Sequence, residues 1–290
     1  MPSRQPRSLK ASAPNLILIP LFALLLGSCT SLMTGLVVKP AVGNLQRQQD
    51  VELVCDGAAA YLLMIDSLLE SSPNNRELLI IGSQSYSGSV AALKSCGAPP
   101  ARQKALSEKA RRYGTRLLAT MLPLDSTDPS FEKALARMQP ADAQALFWGT
   151  FGWLTWIEQQ QGAPLAMADL VVVEQIMARL LELDEAVENG GPHLFFGALY
   201  GTKPEMLGGD PVRSRFHFER ALALSDRSFL MVQTLFAETY ARMVFDQALH
   251  DTLLEEVLAF ELQNAPAQAL SNQIAKRRAR ELLDENFFGD

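Results

Sequence analysis

Residues that carry chemistry are scarce in this 290-residue chain, which has only three cysteines, three histidines, three tryptophans and five tyrosines. His193, His217 and His250 have no spacing that would gather them around one metal ion, so each reads as a cap or packing residue and no metal site is expected. HExxH, CxxC, a phosphate-binding glycine loop and a nucleophile elbow are all missing. Ser130-Phe-Glu-Lys133 matches the bare S-x-x-K spacing of penicillin-recognising enzymes, but the partner motifs are absent and the match reads as coincidence. Basic charge is also in deficit, with 26 Lys+Arg against 32 Asp+Glu, which argues against nucleic acid as a partner. No stretch alternates polar and apolar residues between hairpin turns, so no sheet is expected. No enzyme, catalytic residue or cofactor follows from this sequence.

What is present begins at the N-terminus. Arg4, Arg7 and Lys10 precede an apolar run from Asn15 to Leu26, too short for a permanent membrane span, and this reads as a signal peptide over 1–28. The end of the run, Leu26-Gly27-Ser28-Cys29, resembles the lipobox of bacterial lipoproteins; the alternative is an ordinary cleavage site beside a cysteine. The lipobox reading makes Cys29 the lipidated first residue and lipid the anchor to the membrane. Removing 1–28 takes away three basic residues and no acidic one, leaving 23 against 32, a balance of −9. Residues 29–48 read as a tether and 49–290 as one helical domain. Thr30 and Ser31 follow the cysteine without an Asp, which points to the outer membrane, facing the periplasm.

The domain reads as helix after helix. Spans are expected at about 50–70, 76–96, 101–121, 130–138, 141–160, 164–183, 210–224, 228–245, 248–263 and 266–284. Ser71-Ser72-Pro73-Asn74-Asn75 breaks the first pair, and folding them back about 73–74 brings Cys55 near residue 92 or 93. Cys96 is then about one turn away, roughly 5 Å along the axis, so a Cys55–Cys96 disulfide is plausible in an oxidising compartment. The alternative is two small buried apolar residues. Phe147, Trp148, Phe151, Trp153 and Trp156 spread around nearly the whole of one helix, which must then be buried on most sides. Two readings stay open for it: a central core helix, or a helix that lends aromatic surface to a ligand channel. Trp148, Trp153, Trp156, Phe195, Phe196 and Tyr200 are the candidates for such a cleft. The basic cluster Lys276, Arg277, Arg278 and Arg280 reads as a solvated face with acidic neighbours; the alternative is a docking patch for an acidic partner protein or for lipid headgroups.

Weak internal similarity accompanies the helices. Phe196-Gly197 with Tyr200-Gly201 recurs as Phe236-Ala237 with Tyr240-Ala241, and Leu146-Phe-Trp-Gly149 echoes Leu194-Phe-Phe-Gly197. The pattern resembles divergent tetratricopeptide repeats, so an all-α fold of antiparallel helix hairpins in one superhelical domain is expected. The series Gly197-Ala-Leu-Tyr200, Pro204, Leu207-Gly-Gly-Asp210, Phe216-His-Phe-Glu-Arg-Ala221, Ala237-Glu-Thr-Tyr240-Ala241, Leu270-Ser-Asn272-Gln-Ile-Ala275 and Asn286-Phe287-Phe288 allows a closer identification. In that order these resemble the TatT family, the lipoprotein T component associated with TRAP transporters. The resemblance is dense over 190–290 and looser over 49–189. It implies a homotrimer that pairs with a TRAP-type periplasmic ligand-binding protein, with a hydrophobic cleft or pore accepting ligand from that partner. A scaffold lipoprotein for envelope assembly, with no small ligand, is the alternative.

Overall fold

The computed structural model describes residues 38–125, 127–203 and 205–289, without the side chains of Lys39 and Leu207. The signal-peptide segment, Cys29, most of the tether and Pro204 lie outside the described residues. The chain divides into two units, 1–41 and 42–290, and the description below concerns the second. Helix α1, Lys39–Gln46, crosses the division.

Helix starts follow local chemistry. Asp50 accepts a hydrogen bond from Leu53 N at 3.0 Å and opens α2, Val51–Ser71. Asn75 caps α3, Arg76–Ser95, through Leu78 N at 3.1 Å. Each satisfies an amide that the helix itself leaves unpaired. Proline, whose missing N–H costs nothing in the first turn, begins α4 (Pro100–Leu118), α5 (Pro129–Arg137), α7 (Pro164–Leu183) and α9 (Pro211–Leu224). Helix α6 spans Ala143–Glu158 and α8 Val187–Gly201. Helix α10, Met231–Leu235, widens into a π-helical turn over Phe236–Ala241. Asp246 caps α11, Gln247–Ala259, and α12 runs Ala269–Asp284. The described residues are all-α, with twelve helices and no strand.

Helix α8 was not among the spans expected from the sequence, because Asn189-Gly190-Gly191-Pro192 has the composition of a loop. The chain instead makes a left-handed turn at Glu188, Asn189 and Gly190 and then enters the helix with Pro192 in its first regular turn. The spans expected to 263 and from 266 are shortened by 3₁₀ turns at Leu262–Asn264 and Pro266–Gln268.

Five helices form an inner row in which each touches the next: α3 packs on α6, α6 on α8, α8 on α10 and α10 on α12. Helix α12 returns to touch α3 and α2, so the row closes into a ring. Helices α2, α4, α7, α9 and α11 pack outside it.

The joint of α3, α4 and α6 is the tightest, and it is built from residues with almost no side chain. A Cβ on Gly152 would collide with Ser83 Oγ and stand 2.6 Å from Ala110 O, and one on Gly114 would collide with the Gly149 carbonyl. Ser83 Oγ fills the gap by donating to Trp148 O at 2.6 Å. Two apolar clusters complete the core, one centred on α6 and α7 and the other on α9 to α12. No helix among the described residues is long and apolar enough to cross a membrane.

Candidate functional site

Helix α6 has α3 and α8 on its flanks within the ring and α4 and α7 outside, which leaves one face toward the ring's interior. Gln144, Trp148, Phe151 and Glu158 recur every three or four positions or multiples of that spacing, and they keep solvent exposure along this face. Trp148 and Phe151 are half-buried, with ring centroids 5.7 Å apart in an edge-on arrangement, and Phe147 stacks behind Phe151 at 5.6 Å. Glu158, at the C-terminal end of this face, is exposed.

The other tryptophans of α6 point the opposite way. Trp153 is buried and donates from Nε1 to Asp169 of α7 at 2.8 Å. Trp156, also buried, lies under the Arg111 guanidinium of α4, which is 4.0 Å from its ring centroid. Arg111 in turn pairs with Asp169 at 3.0 Å. The three tryptophans therefore do not share a surface: Trp148 faces inward, and Trp153 and Trp156 bind α6 to its outer neighbours.

Phe195, Phe196 and Tyr200 of α8 contact one another in series. Phe196 and Tyr200 stack at 5.8 Å and both approach His217 of α9, while Arg213 sits 4.0 Å over the Tyr200 ring. Phe195 and Phe196 are both buried in the cluster around α6 and α7, with ring centroids 5.0 Å apart. These three rings fill helix joints.

A cavity of about 490 Å³ opens between α4, α6 and α7, lined by Glu108, Arg111, Arg112, Thr115, Leu124, Trp153 and Asp169. Its walls are mostly charged, and Trp153 is the one cleft candidate that reaches it. It lies on the side of α6 away from Trp148.

Nothing in the spacing of the histidines signals that two of them meet. His193 Nδ1 lies 2.9 Å from His217 Nδ1, and His193 Nε2 lies 3.1 Å from Glu185 Oε2. Hydrogen bonds from Arg220 and then His193 hold the Glu185 carboxyl down at about 2. The ionised Glu185 accepts the His193 Nε2 proton, so His193 Nδ1 must accept and His217 Nδ1 must donate. Burial lowers His193 and takes His217 to about 4, with the His193 charge a further cause for His217. Among the described residues no group of three or more His, Cys, Asp or Glu side chains could hold a metal ion.

Asp66, which the sequence reading missed, serves the fold, as do the two cysteines and the basic cluster that it named. Asp66 of α2 accepts from Tyr86 at 2.8 Å, from Tyr113 at 2.6 Å and from Lys109. Burial alone would raise its carboxyl, and these three donors bring it below the usual range. Cys55 and Cys96 are joined by a disulfide with Cα atoms 6.8 Å apart, and Cys55 Sγ lies 3.3 Å from Ala92 O. In the basic cluster, Arg278 pairs with Glu238, Glu281 and Glu285, and Lys276 donates to Leu258 O at 2.8 Å.

No curated protein matches the chain. A family model described as the TRAP transporter T-component matches residues 47–288, which takes in every helix of the ring. That family is a transport accessory and not a known enzyme family. With the match covering most of its length, the chain belongs to the TRAP transporter T-component family.

Proposed function

We propose that this protein is a lipid-anchored accessory of a TRAP-type transport system in a bacterial envelope, docking an extracytoplasmic ligand-binding protein at the periplasmic face. Family membership over 47–288 carries the proposal. The anchor is the lipid on Cys29, the outer membrane is the favoured site, and the working form is a homotrimer. The helix pairs are read as cryptic tetratricopeptide hairpins.

The ligand of such a system would be apolar or amphipathic and would lie inside the helical ring. Supporting this are the closure of the inner row and the apolar character of what it leaves partly open: Trp148 and Phe151 on α6, Leu194 and Ala198 on α8, Leu235 on α10 and Ile274 on α12. Apolar side chains with a few placed polar groups are the usual lining of a small-molecule site.

The test is affinity capture of the tagged protein from its native host in mild detergent, with mass spectrometry of partners and native mass of the complex. Recovery of a TRAP-type binding protein on a trimeric core is the expected result. Recovery of cell-wall or assembly factors, with no binding protein even after gentle crosslinking, would replace this reading with that of an envelope scaffold.

A further inference from the structure

Most partly buried carboxylates of this fold have a cation beside them: Asp66 has Lys109, Asp169 has Arg111, Glu238 has Arg278 and Glu256 has Arg227. Glu188 is different. Its Oε1 accepts from Trp148 Nε1 at 2.7 Å, its second donor is the Gln144 amide, and it makes no ion pair among the described residues. Neutral donors satisfy its lone pairs but leave its charge uncompensated in a place where burial is costly. Desolvation accordingly raises its carboxyl, and no positive charge opposes that shift.

The backbone is strained to hold it there. Glu188 and Asn189 have φ of 50° and 62°, left-handed values that side-chain-bearing residues rarely adopt, and Gly190 follows at 78°. Such conformations are costly and persist only where the surroundings enforce them. Here Asn189 is tied to Gln268, and Gly191 lies so close under Phe147 that a Cβ would collide with the ring. The strained turn places the carboxylate at the indole N–H edge of half-buried Trp148, and half-buried Phe151 meets that indole edge-on at 5.7 Å. A carboxylate without a countercharge at the edge of partly exposed aromatic rings is an arrangement that attracts an organic cation, by Coulomb attraction and by the ring quadrupoles together. A metal ion would need further ligating side chains, and none gather here among the described residues.

We propose that Glu188, Trp148 and Phe151 form a recognition site for the ammonium head of an organic cation inside the ring. The inference rests on the reading that the interior takes a small ligand, and it narrows that ligand to an amphipathic molecule with a cationic end. Glu188 supplies the countercharge and the two rings enclose the methyl or methylene groups around the nitrogen.

Benzyltrimethylammonium tests this, titrated into the full chain in nanodiscs with empty nanodiscs as blank. Benzoate and benzyl alcohol provide anionic and neutral comparisons, and the neutral dye N-phenyl-1-naphthylamine reports whether the interior takes apolar molecules at all. The cation should bind saturably, at least tenfold tighter than either comparison, and quench tryptophan fluorescence. Glu188→Gln keeps an acceptor for Trp148 and should weaken the cation at least tenfold while leaving dye binding unchanged and without lowering the unfolding midpoint. Dye binding without preference for the cation, or with Glu188→Gln silent, overturns the cation site and leaves the interior-ligand reading standing. Absence of binding by both dye and cation overturns the two together.

Discussion

Arg277 of α12 forms an ion pair with Glu52 of α2, 225 residues earlier in the chain. That pair marks the seam where the last helix of the ring meets the first hairpin. Both side chains reach solvent, so the bond reports the closure more than it enforces it. Buried hydrogen bonds of α12 run instead to the segment that opens α10. Asn272 of α12 is fully buried, accepts from Leu230 N at 3.0 Å and donates to Ser228 O at 2.8 Å.

Asn272→Ala strands the Leu230 amide and the Ser228 carbonyl, and should cost roughly 2–4 kcal/mol of stability. Arg277→Ala should move the denaturant midpoint little. Urea unfolding of the two variants measures the contrast, and equal losses would contradict this account of how α12 is held.

The close joint at Gly152 gives a second prediction. Gly152→Ala must displace Ser83 or the Ala110 backbone and should destabilise by about 1–3 kcal/mol. Gly57 of α2 has no heavy atom within 4 Å of the position a Cβ would take. Gly57→Ala should therefore stabilise by about 0.5–1 kcal/mol through better helix propensity. Opposite signs in thermal denaturation are the expected outcome.

The Cys55–Cys96 disulfide links residues separated by 41 positions. Closing a loop of that size restricts the unfolded chain by about 4 kcal/mol on the entropy model. Reduction, or the double variant Cys55→Ala with Cys96→Ala, should lower the unfolding midpoint without changing helix content by circular dichroism. An unchanged midpoint under reductant would show that the bond contributes nothing to stability.

Acid should destabilise the α8–α9 joint. The folded-state pKa of His217 is lowered to about 4 by burial and then by the His193 charge, so the unfolded chain takes up the proton first as pH falls. Stability is then complete above about 6.5 and falls between there and about 4, by at most about 3 kcal/mol for this residue. His193, lowered as well, acts in the same direction, and Glu185 extends the loss toward pH 2. His217→Asn retains an N–H for His193 and should flatten the pH dependence between 4 and 6.5. Superimposable pH curves for variant and parent would exclude the pair as the source.

Local sequence determined where most helices begin, because Asp50, Asn75, Asp128, Asp210 and Asp246 accept the amides that their own helices leave unpaired, and proline tolerates only the first turn. The hairpin of α2 and α3 was legible for the same reason: the break at 71–75 and the rise per residue bring Cys55 alongside Ala92 whatever the rest of the chain does. The candidate site was legible only in part. Periodicity gathers the aromatics on α6, but around so apolar a helix it cannot assign faces; α7 and α4 claim Trp153 and Trp156, and Trp148 is left on the inner side. The left-handed turn at Glu188, the meeting of His193 with His217 and the closure of α12 onto α2 and α3 have no local signature. Each is imposed by contacts distant in sequence, whose combined packing outweighs the backbone strain and buried charge they require, and only the tertiary structure could decide them.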